Sequence, residues 1–244
     1  MKIQLREKPA GKPVIIEGFP GFGFVSTIAV EYLVDALEMK SIGRIWSHEL
    51  SPVAIIHQKD ILQPMEIYYS KKYNLVVLET LANVQGLEWD IADAVMYIYK
   101  KLNAREIVSI EGIAAPEGAT GGDNVYYFTS GPSAKKLEAI GLKQLKEGIV
   151  FGVTGALMIK SENAPVNTTY LFGETHSQLP DSKAAARIVE VLDQYLKLNI
   201  DVGPLMKKAA QFEQKLAGLI EQSKKATKLK EEKDQGQPYQ PYIS

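Results

Sequence analysis

Residues 13–38 read PVIIEGFPGFGFVSTIAVEYLVDALE, and this stretch decides the fold class. Residues 13–18 are a β-branched run ending in glycine, the pattern of a buried strand. Gly18 to Gly23 then forms a tight turn rich in glycine and phenylalanine. Over 24–38, apolar residues fall at 24, 25, 28, 29, 32, 33, 36 and 37, a helical spacing with a wide apolar face. The chain therefore opens strand, glycine-rich turn, helix.

The alternation continues outward. Residues 44–47, 53–57, 66–70, 74–81, 106–111, Val125–Thr129 and Thr168–Thr175 read as strands. Glu88–Leu102 is a helix with Ile91, Val95, Ile98 and Leu102 on one stripe, and 133–139 is a short helix. A helix runs from the N-cap Asp181 to about residue 198. Residues 112–124 read as a loop, and 148–154 as a strand or turn. Strands alternating with helices imply an α/β fold with a mostly parallel central sheet flanked by helices. Ligand sites in such sheets lie outside the carboxyl ends of the strands. The Gly18–Gly23 turn and the 112–124 loop both fall there, which makes Gly21, Gly23, Gly121 and Gly122 the candidate ligand-pocket residues.

Composition excludes several classes. With 28 Lys and Arg against 29 Asp and Glu, the net charge is −1, which gives no field to attract nucleic acid or an anionic membrane. The absence of cysteine excludes disulfides, thiolate metal sites and Cys nucleophiles. No apolar leader opens the chain and no apolar run approaches the roughly 18 residues of a membrane span, so a cytoplasmic location is expected.

The motifs that could carry chemistry are weak. Gly21-Phe-Gly23-Phe-Val-Ser26 has the context of a dinucleotide fingerprint, but Phe22 and Phe24 crowd it, and no Walker lysine follows. The preferred reading is that the glycines let the chain turn while Phe19, Phe22 and Phe24 fill the rim of the sheet. His48, His57 and His176 have no metal-ligand spacing and no Gly-x-Ser-x-Gly elbow is present. Glu111, Glu117 and Asp123 surround the 112–124 loop, but nothing in the sequence sets their separation. No catalytic residue, metal or cofactor is assigned.

Composition changes near residue 200, dividing the chain into an α/β domain (1–200), an amphipathic helix (201–234) and a tail (235–244). In the helix, Leu205, Ala209, Phe212, Leu216 and Leu219 follow a heptad seam. Burying each large side chain is worth roughly 1.5–3 kcal/mol, so Leu205, Phe212, Leu216 and Leu219 are expected to pack against another subunit or a partner, the alternative being that the helix folds back on its own domain and completes the core. The uncharged tail QGQPYQPYIS offers Tyr239, Tyr242 and Ile243 as anchors.

Four blocks in this order carry a family resemblance: EGFPGFGFVSTIAVEYL (17–33), IEGIAAP (110–116), GVTGALM (152–158) and LPDSKAAARIVEVLDQYL (179–196). Over roughly residues 10–205 the chain resembles the proteasome assembly chaperone family in its archaeal and bacterial single-domain form. The resemblance implies a purine-nucleoside-phosphorylase-like α/β sandwich that is non-enzymatic, forms homo-oligomers and binds protein. It also implies the proteasome α-ring as a partner, engaged by a C-terminal hydrophobic–Tyr–any tripeptide. Here the last residues are Tyr242-Ile243-Ser244, with tyrosine third rather than second from the end. The expected function is a self-associating chaperone homologue acting through its C-terminal helix and tail. The alternative is a nucleoside- or nucleotide-using enzyme with its pocket at the Gly18–Gly23 turn and the 112–124 loop.

Overall fold

The computed structural model describes residues 1–50, 55–57, 60–114, 124–129, 131–175, 179–205, 207 and 218. The opening unit is strand β2 (Val14–Gly18), a 3-10 turn (Phe22–Phe24) and helix α1 (Val25–Ala36). Strand β2 is buried along its whole length and occupies the middle of a nine-stranded sheet ordered β1-β3-β6-β7-β2-β8-β11-β9-β10. The other strands are β1 (Lys2–Leu5), β3 (Lys40–Trp46), β6 (Met65–Ser70), β7 (Leu75–Thr80), β8 (Glu106–Ala114), β9 (Val125–Thr129), β10 (Lys143–Gln144) and β11 (Thr168–Thr175). Strands β4 (Ile55–His57) and β5 (Asp60–Leu62) pair separately.

The central strands β7, β2, β8 and β11 are parallel, as the alternating pattern implies. Antiparallel pairs extend the sheet through β1, β3 and β6 on one side and join β9 to β11 on the other. Helices cover both faces. Helix α2 (Glu88–Leu102) and helix α4 (Gly152–Glu162) pack with Ile15, Ile107 and Phe172 on one face. Helix α1, helix α5 (Ser182–Leu196) and Leu137 of the short helix α3 (Ala134–Ala139) pack with Ile16, Val108 and Leu171 on the other. Successive strand residues point to opposite faces, so each parallel strand feeds both cores.

Several expectations need correction. The segment expected as a strand or turn at 148–154 leads instead into helix α4. Its valine and threonine residues favour a strand locally, but Val153, Ala156 and Leu157 are buried at helical spacing against α2. Strand β8 runs on to Ala114, through the glycine expected to open a loop. Gly112 is required within that strand, because a Cβ there would lie 1.9 Å from the Phe22 carbonyl oxygen. Leu205, expected to pack against another subunit or a partner, is 0% exposed within the core of its own chain, the fold-back alternative at this position. It closes the α1/α5 layer, where Tyr32 Oη donates to the Asp201 carbonyl at 2.6 Å. Phe212, Leu216, Leu219, Tyr239, Tyr242 and Ile243 lie outside the described residues, as do Gly121, Gly122, Glu117, Asp123 and His176. Among the described residues no helix is long and apolar enough to cross a membrane.

Candidate functional site at the carboxyl edge of the sheet

At the carboxyl ends of the parallel strands, the sequence places polar groups where the pattern calls for apolar ones. Ile15 and Ile107 belong to the core under α2 and α4. Two residues further along the same strands, and so on the same face, stand Glu17 and Ser109, which are register partners. Glu111 follows on β8, and Thr154 comes down from α4. The Ser109 hydroxyl donates to Thr154 Oγ1 at 3.3 Å, and Thr154 donates to Glu111 Oε2 at 3.1 Å.

Glu17 is 0% exposed, and neither carboxyl oxygen has a hydrogen-bond partner of ordinary geometry among the described residues. Burial pushes its pKa up to about 8; the neighbouring Ser109 hydroxyl opposes the rise and the Glu111 charge adds to it. Glu17 is thus a neutral acid at pH 7. Burial likewise raises Glu111 to about 7, against the lowering effect of hydrogen bonds from the Gly112 N–H, the Thr154 hydroxyl and the Phe22 N–H.

Those bonds explain the glycine turn. Glu111 seats against it so closely that a Cβ on Gly21 would lie 2.0 Å from Glu111 Oε1. Gly23 has φ +64°, and a Cβ there would lie 2.7 Å from Thr175 Oγ1. The Gly23 carbonyl accepts from the Asp181 N–H at 2.9 Å. Asp181 in turn accepts from Thr175 Oγ1 at 2.7 Å and caps α5 through the Ala184 N–H at 3.0 Å. The turn is therefore a junction that joins the starts of α1 and α5 to the ends of β8 and β11. A phosphate entering it would meet a carboxylate already holding the Phe22 N–H. Gly21 and Gly23 serve close backbone approach, and Phe19 is buried beside them.

Beside this junction lies a cleft of about 540 Å³, bordered by Ile113, Tyr126, Ile149, Val150 and Glu174. Buried Glu174 accepts from Asn124 Nδ2 at 2.8 Å and from Tyr126 Oη at 2.9 Å. Large apolar side chains surround the edge: Ile149 is 80% exposed and Phe151 77% exposed ahead of α4, with Trp89 at the start of α2 and Leu179 ahead of α5 also exposed. Among the described residues no group of three or more His, Cys, Asp and Glu side chains could hold a metal ion. Glu17, Ser109 and Thr154 were not singled out from the sequence. One signal was there: a lone charge inside the apolar run PVIIEG.

A match to the PAC2 family spans residues 15–220. The chain belongs to the PAC2 family. This PAC2 chain is 28% identical over 218 residues to the Methanocaldococcus jannaschii protein MJ0106, covering 86% of each. Its fold superimposes with a TM-score of 0.83 on Pyrococcus furiosus PbaA, described as an archaeal homologue of proteasome-assembly chaperone. Identity there is 30%, covering 93% of this chain and 100% of PbaA. Pyrococcus furiosus PbaB, described as an archaeal proteasome activator, shares the fold at TM-score 0.74 and 23% identity, covering 89% of this chain and 98% of PbaB.

Proposed function

We propose that this PAC2 chain is a non-enzymatic, proteasome-assembly-chaperone-type protein that self-associates and binds protein partners. PbaA supports the class. The observation that carries the reading is the state of the carboxyl edge. Where an α/β enzyme of this topology opens its crevice, Glu111 closes on Gly21, and exposed Ile149 and Phe151 stand ahead of α4 at the same edge. Exposed apolar side chains grouped on one edge mark a protein-binding surface. The segment after residue 205 supplies the second element of the proposal: Phe212, Leu216 and Leu219 form the self-association seam, and Tyr239, Tyr242 and Ile243 anchor the tail in a partner such as the proteasome α-ring. Leu205 ties that segment to the domain.

Native mass spectrometry, alone and with proteasome α-rings, tests this. The intact chain should give a defined oligomer and an α-ring complex. Phe212→Asp with Leu219→Asp should lower the oligomer mass while leaving the domain folded. An unchanged mass would remove the seam from the reading. A nucleotide that raised the melting temperature only in the presence of an intact Gly18–Gly23 turn would instead favour an enzyme.

A further inference from the structure

The opposite edge of the sheet holds a second polar constellation that protein binding at the carboxyl edge does not use. At the amino ends of β8 and β11, a cleft of about 410 Å³ opens between α3 and the last turn of α5. That volume is in the range of small-molecule sites. Its floor is Glu106, 8% exposed. Glu106 Oε1 accepts from the hydroxyls of Ser133 at 2.7 Å, Thr169 at 2.6 Å and Tyr195 at 2.7 Å. Tyr195 Oη also lies 2.9 Å from Oε2 and 2.8 Å from Ser133 Oγ. Hydroxyls from three places, the start of α3, β11 and α5, thus hold the floor in place. Oε1 is crowded with donors, whereas Oε2 is approached by Tyr195 alone among the described residues. A carboxylate oxygen has about two acceptor positions, so one on Oε2 is left for a ligand hydroxyl.

The walls have the opposite charge. Arg105, Lys136 and Lys197 line the same cleft. Against the single charge of Glu106, the three cations leave an excess of two positive charges. Tethering α3 and α5 to the sheet accounts for the hydroxyls on Glu106. It does not account for an open cleft leading to them, nor for three basic residues among those that line it. A dianionic phosphate monoester neutralises that excess, which a single carboxylate does not, and guanidinium and ammonium groups are the usual phosphate partners.

We propose that this amino-edge cleft binds a small hydroxylated phosphate ester, with its phosphate on Arg105, Lys136 and Lys197 and a sugar-type hydroxyl on Glu106 Oε2. The site is separate from the carboxyl edge and does not depend on the protein-binding reading.

Calorimetric titration of the full chain with ribose 5-phosphate is the test, with inorganic phosphate and ribose as separate arms. Ribose 5-phosphate should bind saturably at one site per chain. Inorganic phosphate should bind at least about tenfold more weakly, and ribose should give no heat; a tenfold change is about 1.4 kcal/mol. Lys136→Glu with Lys197→Glu alters exposed side chains, so it should keep the melting temperature of the unliganded chain and abolish ribose 5-phosphate binding. Absence of saturable heat at millimolar ligand, or binding that survives the double substitution, would overturn the proposal. Equal affinity for inorganic phosphate would overturn the role given to Glu106.

Discussion

Replacing Glu17 by glutamine should stabilise this protein at neutral and alkaline pH. The folded carboxyl titrates at about 8 against an ordinary value of 4.5. The sign follows from proton counts. Between these two values the unfolded chain has lost its proton and the folded chain keeps it. The unfolded state then binds fewer protons, so stability falls as pH rises through that window and levels off above about 8. Each pH unit corresponds to about 1.36 kcal/mol, so the elevated value costs on the order of 5 kcal/mol above pH 8 and about 3 kcal/mol at pH 7. Glutamine removes this cost but buries an amide whose unmet hydrogen bonds cost about 1–3 kcal/mol. A net gain of up to about 2 kcal/mol at pH 7, rising to about 2–4 kcal/mol at pH 8.5, should remain. Urea unfolding of both chains at pH 5, 7 and 8.5 measures it. The wild type should lose stability across the series. The variant should keep only the shallower slope of Glu111, whose elevation ends at about 7. Parallel pH profiles for the two chains, or a variant less stable at pH 8.5, would refute the claim that Glu17 is a neutral buried acid.

Two further substitutions test the junction and the domain boundary. Gly21→Ala places a Cβ 2.0 Å from Glu111 Oε1 and must displace the carboxylate holding the Phe22 N–H and Thr154; it should cost about 2–4 kcal/mol, read as a lower thermal midpoint, and an unchanged midpoint would contradict the packing described. Leu205→Ala should cost about 2–5 kcal/mol as a buried large-to-small change, whereas Phe212→Asp should leave the urea midpoint of the domain unchanged if the proposed seam begins past the domain core; equal effects would contradict that proposed boundary.

Local chemistry made much of the fold legible. Glu88–Leu102, Val125–Thr129 and Thr168–Thr175 coincide with the spans read from periodicity, and Asp181 caps α5 as its side chain predicts. Failures occur where distant partners decide. Helix α4 owes its form to packing on α2, not to its valine and threonine content. Strand β1 is a four-residue edge strand with no buried residue, so it carries no alternation strong enough to read. The functional constellations divide in the same way. Glu17 announced itself as a charge inside an apolar run. Ser109 and Thr154 became its neighbours only through the β2/β8 register and the seating of α4. Tyr195 and Glu106 lie far apart in sequence and meet only because α5 ends over the amino edge of β8.

The two edges also differ in what they can serve. Helices α1, α2, α4 and α5 all begin at the carboxyl edge, where exposed Ile149, Phe151 and Leu179 precede α4 and α5 beside a polar junction that is already closed. Asp201 lies beside Tyr32, in the second half of α1 and away from that edge. On the proposed reading, the carboxyl edge binds a protein partner, while the self-association seam and the tail both lie on the segment after residue 205. Lys197 and Leu198 connect the cleft wall to the buried core that also holds Leu205, within nine residues of chain. A ligand pulling on Lys197 would therefore act on the base of the segment proposed to engage the partner.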